Sequence, residues 1–448
     1  MAIRDLLWAC PRCGAFGSLR AAKKRINVCG SCGTHFRRAE GATIRADFPD
    51  GRSETLAATD WLRRLPSIES RFPADNEEAL GPEPVGVKTL QRFRPIYEGP
   101  DLFGWAEQMS SRVQATATLT ATTLILRHAD REEVTPLEQV LSIQPTSSSL
   151  QITRKDRPLV ALRFQNASIR LWERVLQIRV ANAYRKTGRG EIVEYQPVIR
   201  VGRHALPVAS TARPTPKRDD ALTGGTPARS PEPVDQGRER PRMVYRTCAW
   251  IVRNAWRRFG RFEIHGFENI PDRGPFLLVC NHQSDLDPAL IQSIIPRPVY
   301  AVAKSGLFSA PVIGWVLRRL HSIPVRRYQV DPQSVRTALR LLHRGRGVAI
   351  YIEGERSWDG HLQDYRPGTI RLALKAGVPL IPVAITGTYD ASPRWDSRIT
   401  PGPVTIQFLQ PLHFPKLDRR ADREHELSTA ATIIMSRLAE ALAEASGG

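Results

Sequence analysis

Apolar positions after residue 262 fall into short continuous runs that are separated by longer stretches with helical spacing. The runs lie at 275–280, 299–303, 347–353, 380–385 and 404–409. Continuous apolar runs of this length are typical of strands that are buried on both faces. The stretch PQSVRTALRLLHRG (332–345) lies between two of these runs and has the spacing of a helix. We therefore expect residues 262–448 to form an α/β domain, with a mixed sheet flanked by helices.

Between residues 105 and 200 the pattern changes to the alternation of half-buried antiparallel strands. The candidate strands lie at 113–127, 137–143, 149–154 and 158–164. Residues 167–186 then have helical spacing, with Leu171, Val175 and Ile178 on one face. Strands closed by one C-terminal helix weakly resemble a pleckstrin-homology (PH) or GRAM-like domain, and Trp172 on that helix fits the layout. That resemblance would imply a phosphoinositide or a protein partner. An unrelated small α+β domain explains the pattern equally well.

The remaining segments have weaker patterns. Residues 41–104 are charged and contain scattered prolines, so we expect an irregular connector with one short strand near 42–47. Residues 204–241 are rich in Pro, Arg, Ser, Thr and Gly, and such a composition cannot form a core, so we expect a disordered linker. Residues 242–261 place Arg246, Arg253 and Arg257 on one helical stripe. This basic helix carries two tryptophans, which suits a membrane interface, but its apolar side would equally suit packing onto its own domain.

Four of the six cysteines form two close pairs, CPRC at 10–13 and CGSC at 29–32. This spacing is typical of a tetrahedral structural zinc site held by Cys10, Cys13, Cys29 and Cys32. Gly14 and Gly33 follow each pair, where a tight turn needs a residue that adopts positive φ. Residues 1–40 therefore resemble a small β zinc ribbon. A site closed by four cysteines has no open position for catalysis, so we expect a structural staple or a module that docks a protein partner. The alternative is a redox CxxC pair, which would need a thioredoxin-like context.

The net charge of +20 and a pI near 10.3 predict attraction to a polyanion such as an anionic membrane or phosphorylated substrates. We do not expect nucleic acid, because the ribbon lacks aromatic residues interleaved with basic ones. The N-terminus lacks a long apolar region, and no run long enough to span a membrane occurs. The cysteine pattern favours a reducing compartment. We therefore expect a cytoplasmic protein that lies peripherally on the cytoplasmic face of a membrane.

The stretch NHQSDLDPAL (281–290) places His282 and Asp287 directly after an apolar run. Asp287 followed by Pro288 is a good helix start, with Asp287 as the N-cap. An intervening turn also brings the carboxylate back onto the imidazole, and a histidine base needs such an acceptor at its other ring nitrogen. The stretch therefore predicts both a helix start and a candidate catalytic pair.

Residues 262–415 resemble the glycerolipid acyltransferase family, which includes the lysophosphatidate acyltransferases. The first family block, N-H-x-S-x-x-D, is matched by Asn281, His282, Ser284 and Asp287. The second block is matched by Lys304, Leu307, Ile323, Pro324, Val325 and Arg327. The third block, F-P-E-G-T-R-S, is matched at Glu353, Gly354, Arg356 and Ser357. Two later blocks are matched by Pro367, Gly368, Leu372, Ala373, Val378, Pro379, Pro382 and Val383. Ile352 and Glu355 depart from the third block, where the family has proline and threonine.

This resemblance implies an enzyme that moves a fatty acyl group from acyl-CoA or acyl carrier protein to the hydroxyl of a lysophospholipid, with 1-acyl-glycerol-3-phosphate as the favoured acceptor. His282 would be the general base and Asp287 would orient it. The resemblance further implies a set of substrate-binding residues, namely Asn281, Ser284, Lys304, Arg327, Glu353, Gly354, Arg356 and Ser357. Glu355 adds negative charge beside the expected phosphate site, which would favour a zwitterionic or amino-bearing acceptor. The alternative function is a lipid-sensing protein whose acyltransferase domain has lost catalysis, and the altered third block favours that alternative.

Overall fold

The described residues form three sheets, one for each of three successive parts of the chain. This computed structural model describes residues 3–22, 26–146, 148–188, 243–259, 261–326, 331–415 and 423–447. The expected linker at 204–241 lies outside the described residues.

The N-terminal part is an antiparallel sheet with strand order β1-β2-β3-β4-β5. Its strands are β1 (Leu19–Ala21), β2 (Asn27–Cys29), β3 (His35–Arg38), β4 (Thr43–Asp47) and β5 (Ser53–Ala57). Its short helices are α1 (Ile3–Leu6), α2 (Ala58–Arg63) and α3 (Ile68–Arg71). Phe36, Ile44 and Trp61 are buried in its core, and the Trp61 indole donates to the Ile44 carbonyl at 2.8 Å.

The middle part is a larger antiparallel sheet whose strand order is β10-β9-β8-β6-β13-β12-β11. Its strands are β6 (Leu80–Glu98), β7 (Asp101–Met109), β8 (Val113–Leu119), β9 (Thr123–Arg127), β10 (Glu132–Pro136), β11 (Val140–Pro145), β12 (Leu150–Arg154) and β13 (Arg157–Phe164). Helix α4 (Ile169–Lys186) packs on this sheet through Leu171, Trp172 and Val175, as the helical spacing predicts.

The expected single strand at 113–127 is two strands joined by a tight turn. Thr120 Oγ1 accepts hydrogen bonds from the backbone N–H groups of Thr122 and Thr123, at 3.3 and 3.0 Å. A threonine side chain thus closes a turn that glycine or proline usually marks. The alternating pattern continued through it, so the sequence did not reveal the break.

The expectation of an irregular connector at 41–104 was wrong. This segment contains strands β4 and β5, helices α2 and α3, and the 19-residue strand β6. β6 begins in the middle sheet and continues into a hairpin with β7. Charged residues and prolines are tolerated there because many β6 positions are exposed.

The C-terminal part is an α/β domain, which confirms the expected fold class. Its sheet order is β14-β20-β19-β15-β18-β16-β17, with parallel pairs except β19 with β20. The strands are β14 (Phe262–His265), β15 (Phe276–Cys280), β16 (Val299–Lys304), β17 (Ser322–Val325), β18 (Gly347–Tyr351), β19 (Leu380–Thr386) and β20 (Val404–Phe408). The helices are α5 (Met243–Phe259), α6 (Asp287–Ile294), α7 (Pro311–Arg319), α8 (Pro332–His343), α9 (Pro367–Ala376), α10 (Thr388–Ala391) and α11 (Arg423–Gly447). Strand β15 lies in the middle of the sheet, so its C-terminal end is flanked by strands on both sides.

The N-terminal and middle parts share hydrophobic cores with the α/β domain. Ile96 and Phe103 of the β6–β7 hairpin belong to the core that contains Leu277 of β15. Trp358 and Trp395 of the α/β domain belong to the core of the N-terminal sheet. The chain therefore packs these parts together in spite of the long segment between α4 and α5.

Helix α5 has one side that is buried against its own domain and another that exposes apolar residues. Tyr245 and Trp256 are buried against the α/β domain. Trp250 and Ile251 are 59% and 52% exposed. None of the described helices is both long enough and apolar enough to cross a membrane.

Candidate active site

His282 and Asp287 form a buried hydrogen-bonded pair at the C-terminal end of β15. His282 Nδ1 lies 2.8 Å from Asp287 Oδ2, and the two side chains are 5% and 0% exposed. A carboxylate at Nδ1 favours the tautomer with its proton on Nδ1, which leaves Nε2 as the acceptor nitrogen. The geometry therefore gives His282 the orientation of a general base.

Asp287 starts helix α6 but does not cap it with its side chain. The helix begins at Asp287 without any N-cap hydrogen bond from a side chain. Instead, Asp287 Oδ2 accepts from the backbone N–H groups of Gln283 and Ser284, at 2.8 and 2.9 Å. The expected N-cap role was wrong, because the carboxylate turns back to hold the loop that carries His282.

A stacked aromatic ring also holds the His282 imidazole in place. It stacks on the Tyr351 ring with 4.1 Å between centroids and 26° between planes. Tyr351 ends strand β18, which pairs in parallel with β15, so the two side chains come from adjacent strand ends. Nothing in the third block or its spacing identified Tyr351 as a neighbour of the histidine.

Glu353 braces the histidine loop. Its Oε1 accepts from the His282 backbone N–H at 2.7 Å, and its Oε2 accepts from the Gln363 backbone N–H at 3.2 Å. Burial raises the pKa of Glu353 well above its usual range, although these two hydrogen bonds lower it. Both carboxylate oxygens are thus engaged within the protein, where they hold the loop that carries His282.

Asn281 and Ser284 are likewise engaged within the fold. The Asn281 amide donates to the Ile385 carbonyl at 2.9 Å and accepts from the Ile385 N–H at 2.8 Å. Ser284 Oγ donates to the Ser392 carbonyl at 2.9 Å. Both side chains fix the loop after β15 to its surroundings.

The third block curves around the histidine loop. Gly354 has φ of 69°, and a Cβ there would meet Arg366 Cδ at 2.3 Å, so only glycine fits. The Ser357 N–H donates to the His282 carbonyl at 2.8 Å, and Ser357 Oγ donates to Asp359 at 2.9 Å. The turn at Gly354 therefore places Arg356 and Ser357 beside the loop that carries His282.

Arg356 reaches the edge of the site. Its guanidinium pairs with Asp285 at 2.9 Å, and the Asp285 side chain is 74% exposed. Burial lowers the pKa of Arg356, while Asp285 opposes that change. An exposed carboxylate is easily displaced from a guanidinium, since its own interaction with water competes with the pair.

Glu355 is neutralised by two arginines that the sequence interpretation did not include. It pairs with Arg394 at 3.0 Å and with Arg366 at 3.4 Å, and all three side chains are largely buried. Arg366 also donates to the Glu353 carbonyl at 2.8 Å. The departure from threonine is therefore compensated inside the fold by two arginines. These arginines carried no sequence signal because they lie outside the matched block positions.

The structure describes only part of the second block. Lys304 at the end of β16 donates to Gln151 of β12 at 2.7 Å, which brings the middle part next to this block. Arg327 lies outside the described residues.

The four N-terminal cysteines converge as their spacing predicts. Their sulfur atoms all lie within 4.8 Å of one another, with 3.6 Å between Cys10 and Cys32 and 3.7 Å between Cys13 and Cys29. A zinc with four thiolates at about 2.3 Å in tetrahedral geometry would separate its sulfurs by about 3.8 Å. Gly14 and Gly33 have φ of 70° and 71°, as expected for the two turns. The residues present therefore fit a zinc ion.

A buried histidine–aspartate pair thus follows the central strand of an α/β sheet, which is an arrangement suited to proton transfer. Residues 261–386 match the family model described as Acyltransferase. This match covers most of the motif blocks quoted from the sequence.

The relatives match over the same part of the chain. A chloroplastic 1-acyl-sn-glycerol-3-phosphate acyltransferase of Brassica napus is 32% identical over 170 residues, which is 37% of this chain and 48% of the relative. A 1-acyl-sn-glycerol-3-phosphate acyltransferase of Bacillus subtilis is 28% identical over 38% of this chain and 83% of the relative. The chain spans about half the length of the plant relatives it matches. A crystal structure of the 1-acyl-sn-glycerophosphate acyltransferase of Thermotoga maritima aligns with a TM-score of 0.39 and 26% identity, over 47% of this chain and 84% of that one.

Proposed function

We propose that this chain is an O-acyltransferase that moves a fatty acyl group from acyl-CoA or acyl carrier protein to the free hydroxyl of a lysophospholipid. The 2.8 Å contact between His282 Nδ1 and Asp287 Oδ2 carries the proposal, since it orients a histidine base within an acyltransferase-family domain. The acceptor we favour is 1-acyl-glycerol-3-phosphate, because the names of the matching relatives specify it.

In the proposed reaction His282 Nε2 takes the proton of the acceptor hydroxyl as the oxygen attacks the thioester carbonyl carbon. Asp287 stabilises the imidazolium that forms. The tetrahedral adduct then collapses, the carbon–sulfur bond breaks, and the proton passes to the departing thiolate. The products are the new ester and the free thiol.

Arg356 and the Gly354 turn are the proposed grip on the acceptor's phosphate. A guanidinium forms paired hydrogen bonds with phosphate, and the exposed Asp285 would yield to a doubly charged anion. Lys304, Arg327 and Ser357 complete the substrate-binding set in this proposal. Asn281, Ser284 and Glu353 act by holding the loop that carries His282.

The protein is proposed to lie on the cytoplasmic face of an anionic membrane. Two helices support this by exposing apolar side chains beside arginines. On α7, Val312 is 73% exposed and Trp315 is 46% exposed, next to Arg318 and Arg319. On α5, Trp250 is exposed. The two helices adjoin, since the Tyr245 ring of α5 lies 5.5 Å from the ring of His321, which follows α7. Tryptophan with flanking arginine suits the headgroup region of a bilayer.

The N-terminal half is proposed to contain a structural zinc ribbon and a PH-like domain. The convergent cysteine sulfurs support the first. The strand order of the middle sheet and its closing helix α4 support the second.

The proposed activity is tested by acyl transfer from labelled acyl-CoA to lysophosphatidate on anionic vesicles, with wild type beside His282→Ala. A base of this kind contributes about 10²–10⁴ in rate, so the variant should lose at least about a hundredfold while vesicle binding is unchanged. The matched control is His265→Ala, because His265 lies exposed on β14 in the same domain.

Absence of wild-type transfer with acyl-CoA, acyl carrier protein donors and other lysolipids would contradict the proposal. Intact vesicle binding in that case would favour the lipid-sensing alternative.

A further inference from the structure

A cavity of about 260 Å³ lies between the third block and the N-terminal half of the chain. Glu355, Arg356, Trp358 and Gln363 of the α/β domain form one side. Trp8, from the segment after α1, and Arg170 of α4 lie on the opposite side. The N-terminal half therefore builds part of a cavity that begins at the expected acceptor site.

Two hydrogen-bond paths join this cavity to the candidate base. Ser357 lies between Arg356 and Trp358 in the chain, and its N–H donates to the His282 carbonyl at 2.8 Å. Gln363 N–H donates to Glu353, which in turn accepts from His282 N–H. The cavity wall and the catalytic loop are thus one connected structure.

Arg170 differs from the other residues that line the cavity in having a buried guanidinium nitrogen without a hydrogen-bond acceptor. Its Nη1 atom is buried and has no hydrogen-bond partner. Its guanidinium lies 4.8 Å from the Trp8 ring centroid and 6.0 Å from that of Trp358. These rings hold the cation in place but do not accept its in-plane N–H groups. A buried guanidinium nitrogen without an acceptor is costly, so the Nη1 atom of Arg170 is a candidate donor to a bound anion.

The other arginines of this region already have carboxylate partners. Arg174 pairs with Glu69 at 2.6 Å, and Arg394 pairs with Glu355 at 3.0 Å. Arg170 has no carboxylate within ion-pair distance in the part of the chain that the structure describes. Burial lowers the pKa of Arg170, although Asp359 and Glu173 oppose that change, and Glu173 also lines the cavity. Among these cations, Arg170 is therefore the one whose charge remains available to a ligand.

We infer that Arg170 is a phosphate-binding residue of the acyl-transfer site, contributed by the middle part of the chain. The inference rests on the proposed function for the identity of the substrate. Two phosphate carriers enter that reaction, the lysophospholipid acceptor and the CoA donor. The cavity has room for a phosphate together with the group that bears it. On this assignment the N-terminal half takes part in substrate recognition, through a residue that lies outside the matched residues 261–386.

The kinetic test uses the full chain with Arg170→Gln and Arg170→Lys. A lost charged hydrogen bond predicts a KM about tenfold higher or more for the substrate whose phosphate Arg170 binds, with kcat within about threefold. Lysine restores the charge but not the paired geometry, so it should recover part of the loss. A raised KM for lysophosphatidate identifies the acceptor as the source, and a raised KM for acyl-CoA identifies the donor. The control is Arg185→Gln, which removes the same charge from an exposed position on α4.

A binding test separates this inference from the proposed activity. Glycerol 3-phosphate and, separately, coenzyme A are added to the full chain, and the unfolding midpoint is measured. One of them should raise the midpoint of wild type and of Arg185→Gln but not that of Arg170→Gln. If the chain is inactive in acyl transfer and this pattern still appears, the phosphate site stands and the proposed function fails. Equal midpoint shifts in all variants, or unchanged KM values in Arg170→Gln, would overturn the inference.

Discussion

Glu353 Oε1 accepts a 2.7 Å hydrogen bond from the backbone N–H of His282, so a residue of the third block holds the first block in position. The same carboxylate accepts from Gln363 N–H at 3.2 Å. One side chain therefore ties together the loop after β15 and the loop before α9. The acid of the third block therefore holds the backbone of the candidate base.

Glu353→Gln tests this role. Glutamine has one acceptor oxygen and one donor group, so one backbone N–H would lose its partner at a cost of about 1–3 kcal/mol. We expect the free energy of unfolding to fall by that amount and kcat to fall more than KM rises. Denaturant unfolding and steady-state kinetics measure both. Glu268→Gln, at an exposed position of the same domain, should change neither. A variant with altered KM alone would show that Glu353 binds substrate.

Asp287→Asn tests the orientation of the base. Asparagine can still accept from the backbone N–H groups of Gln283 and Ser284, but it lacks the charge that stabilises an imidazolium. We expect kcat to fall about 10²–10⁴-fold with a folded protein. The exposed Asp364→Asn is the control. Wild-type kcat in Asp287→Asn would remove Asp287 from the proposed mechanism.

Glu355→Thr would restore the residue that the family resemblance leads one to expect. In this chain it would leave Arg366 and Arg394 without their shared carboxylate. Breaking a buried ion pair by removing one partner costs about 3–5 kcal/mol, and we expect a loss of that order in the free energy of unfolding. Chemical denaturation measures it. Unchanged stability would mean that solvent or another carboxylate replaces Glu355.

The cysteine cluster predicts one bound zinc per chain. Cys32→Ser removes one of four thiolate ligands, so zinc content and the unfolding midpoint should both fall. Elemental analysis and thermal unfolding, with and without a chelator, give the two readouts. Cys248→Ser, outside the cluster, should keep the metal. Zinc retained at full stoichiometry in Cys32→Ser would place the metal elsewhere.

Helix α7 predicts a point of membrane contact. Val312→Asp replaces the most exposed apolar side chain of that helix with a charge. Because burying one such side chain contributes roughly 1.5–3 kcal/mol, vesicle affinity should fall about tenfold or more. Co-sedimentation with anionic vesicles measures it. Val134→Asp, on the edge strand β10 of the middle sheet, is the matched control. Equal binding by the two variants would place the membrane contact away from α7.

Much of this architecture follows from local patterns. The five apolar runs of the α/β domain are strands, residues 332–345 contain helix α8, and the cysteine pairs converge. The prediction for residues 41–104 failed mainly at β6, because this strand is largely exposed and interrupted by prolines, whereas the short strand expected near 42–47 is β4. The prediction of one strand at 113–127 failed because the side chain of Thr120 closes the turn in place of the usual glycine or proline.

The sequence by itself determined which residues could do chemistry here, because the period of apolar positions and the spacing of histidine, aspartate and cysteine are local properties. Only the tertiary structure decided how these residues are arranged around His282. Asn281, Ser284 and Glu353 hold the loop after β15, Glu355 pairs with Arg366 and Arg394, and Arg170 of helix α4 lines a cavity beside the third block. These contacts join residues far apart in the chain. They depend on how the three sheets and their helices pack against one another, which no local pattern encodes.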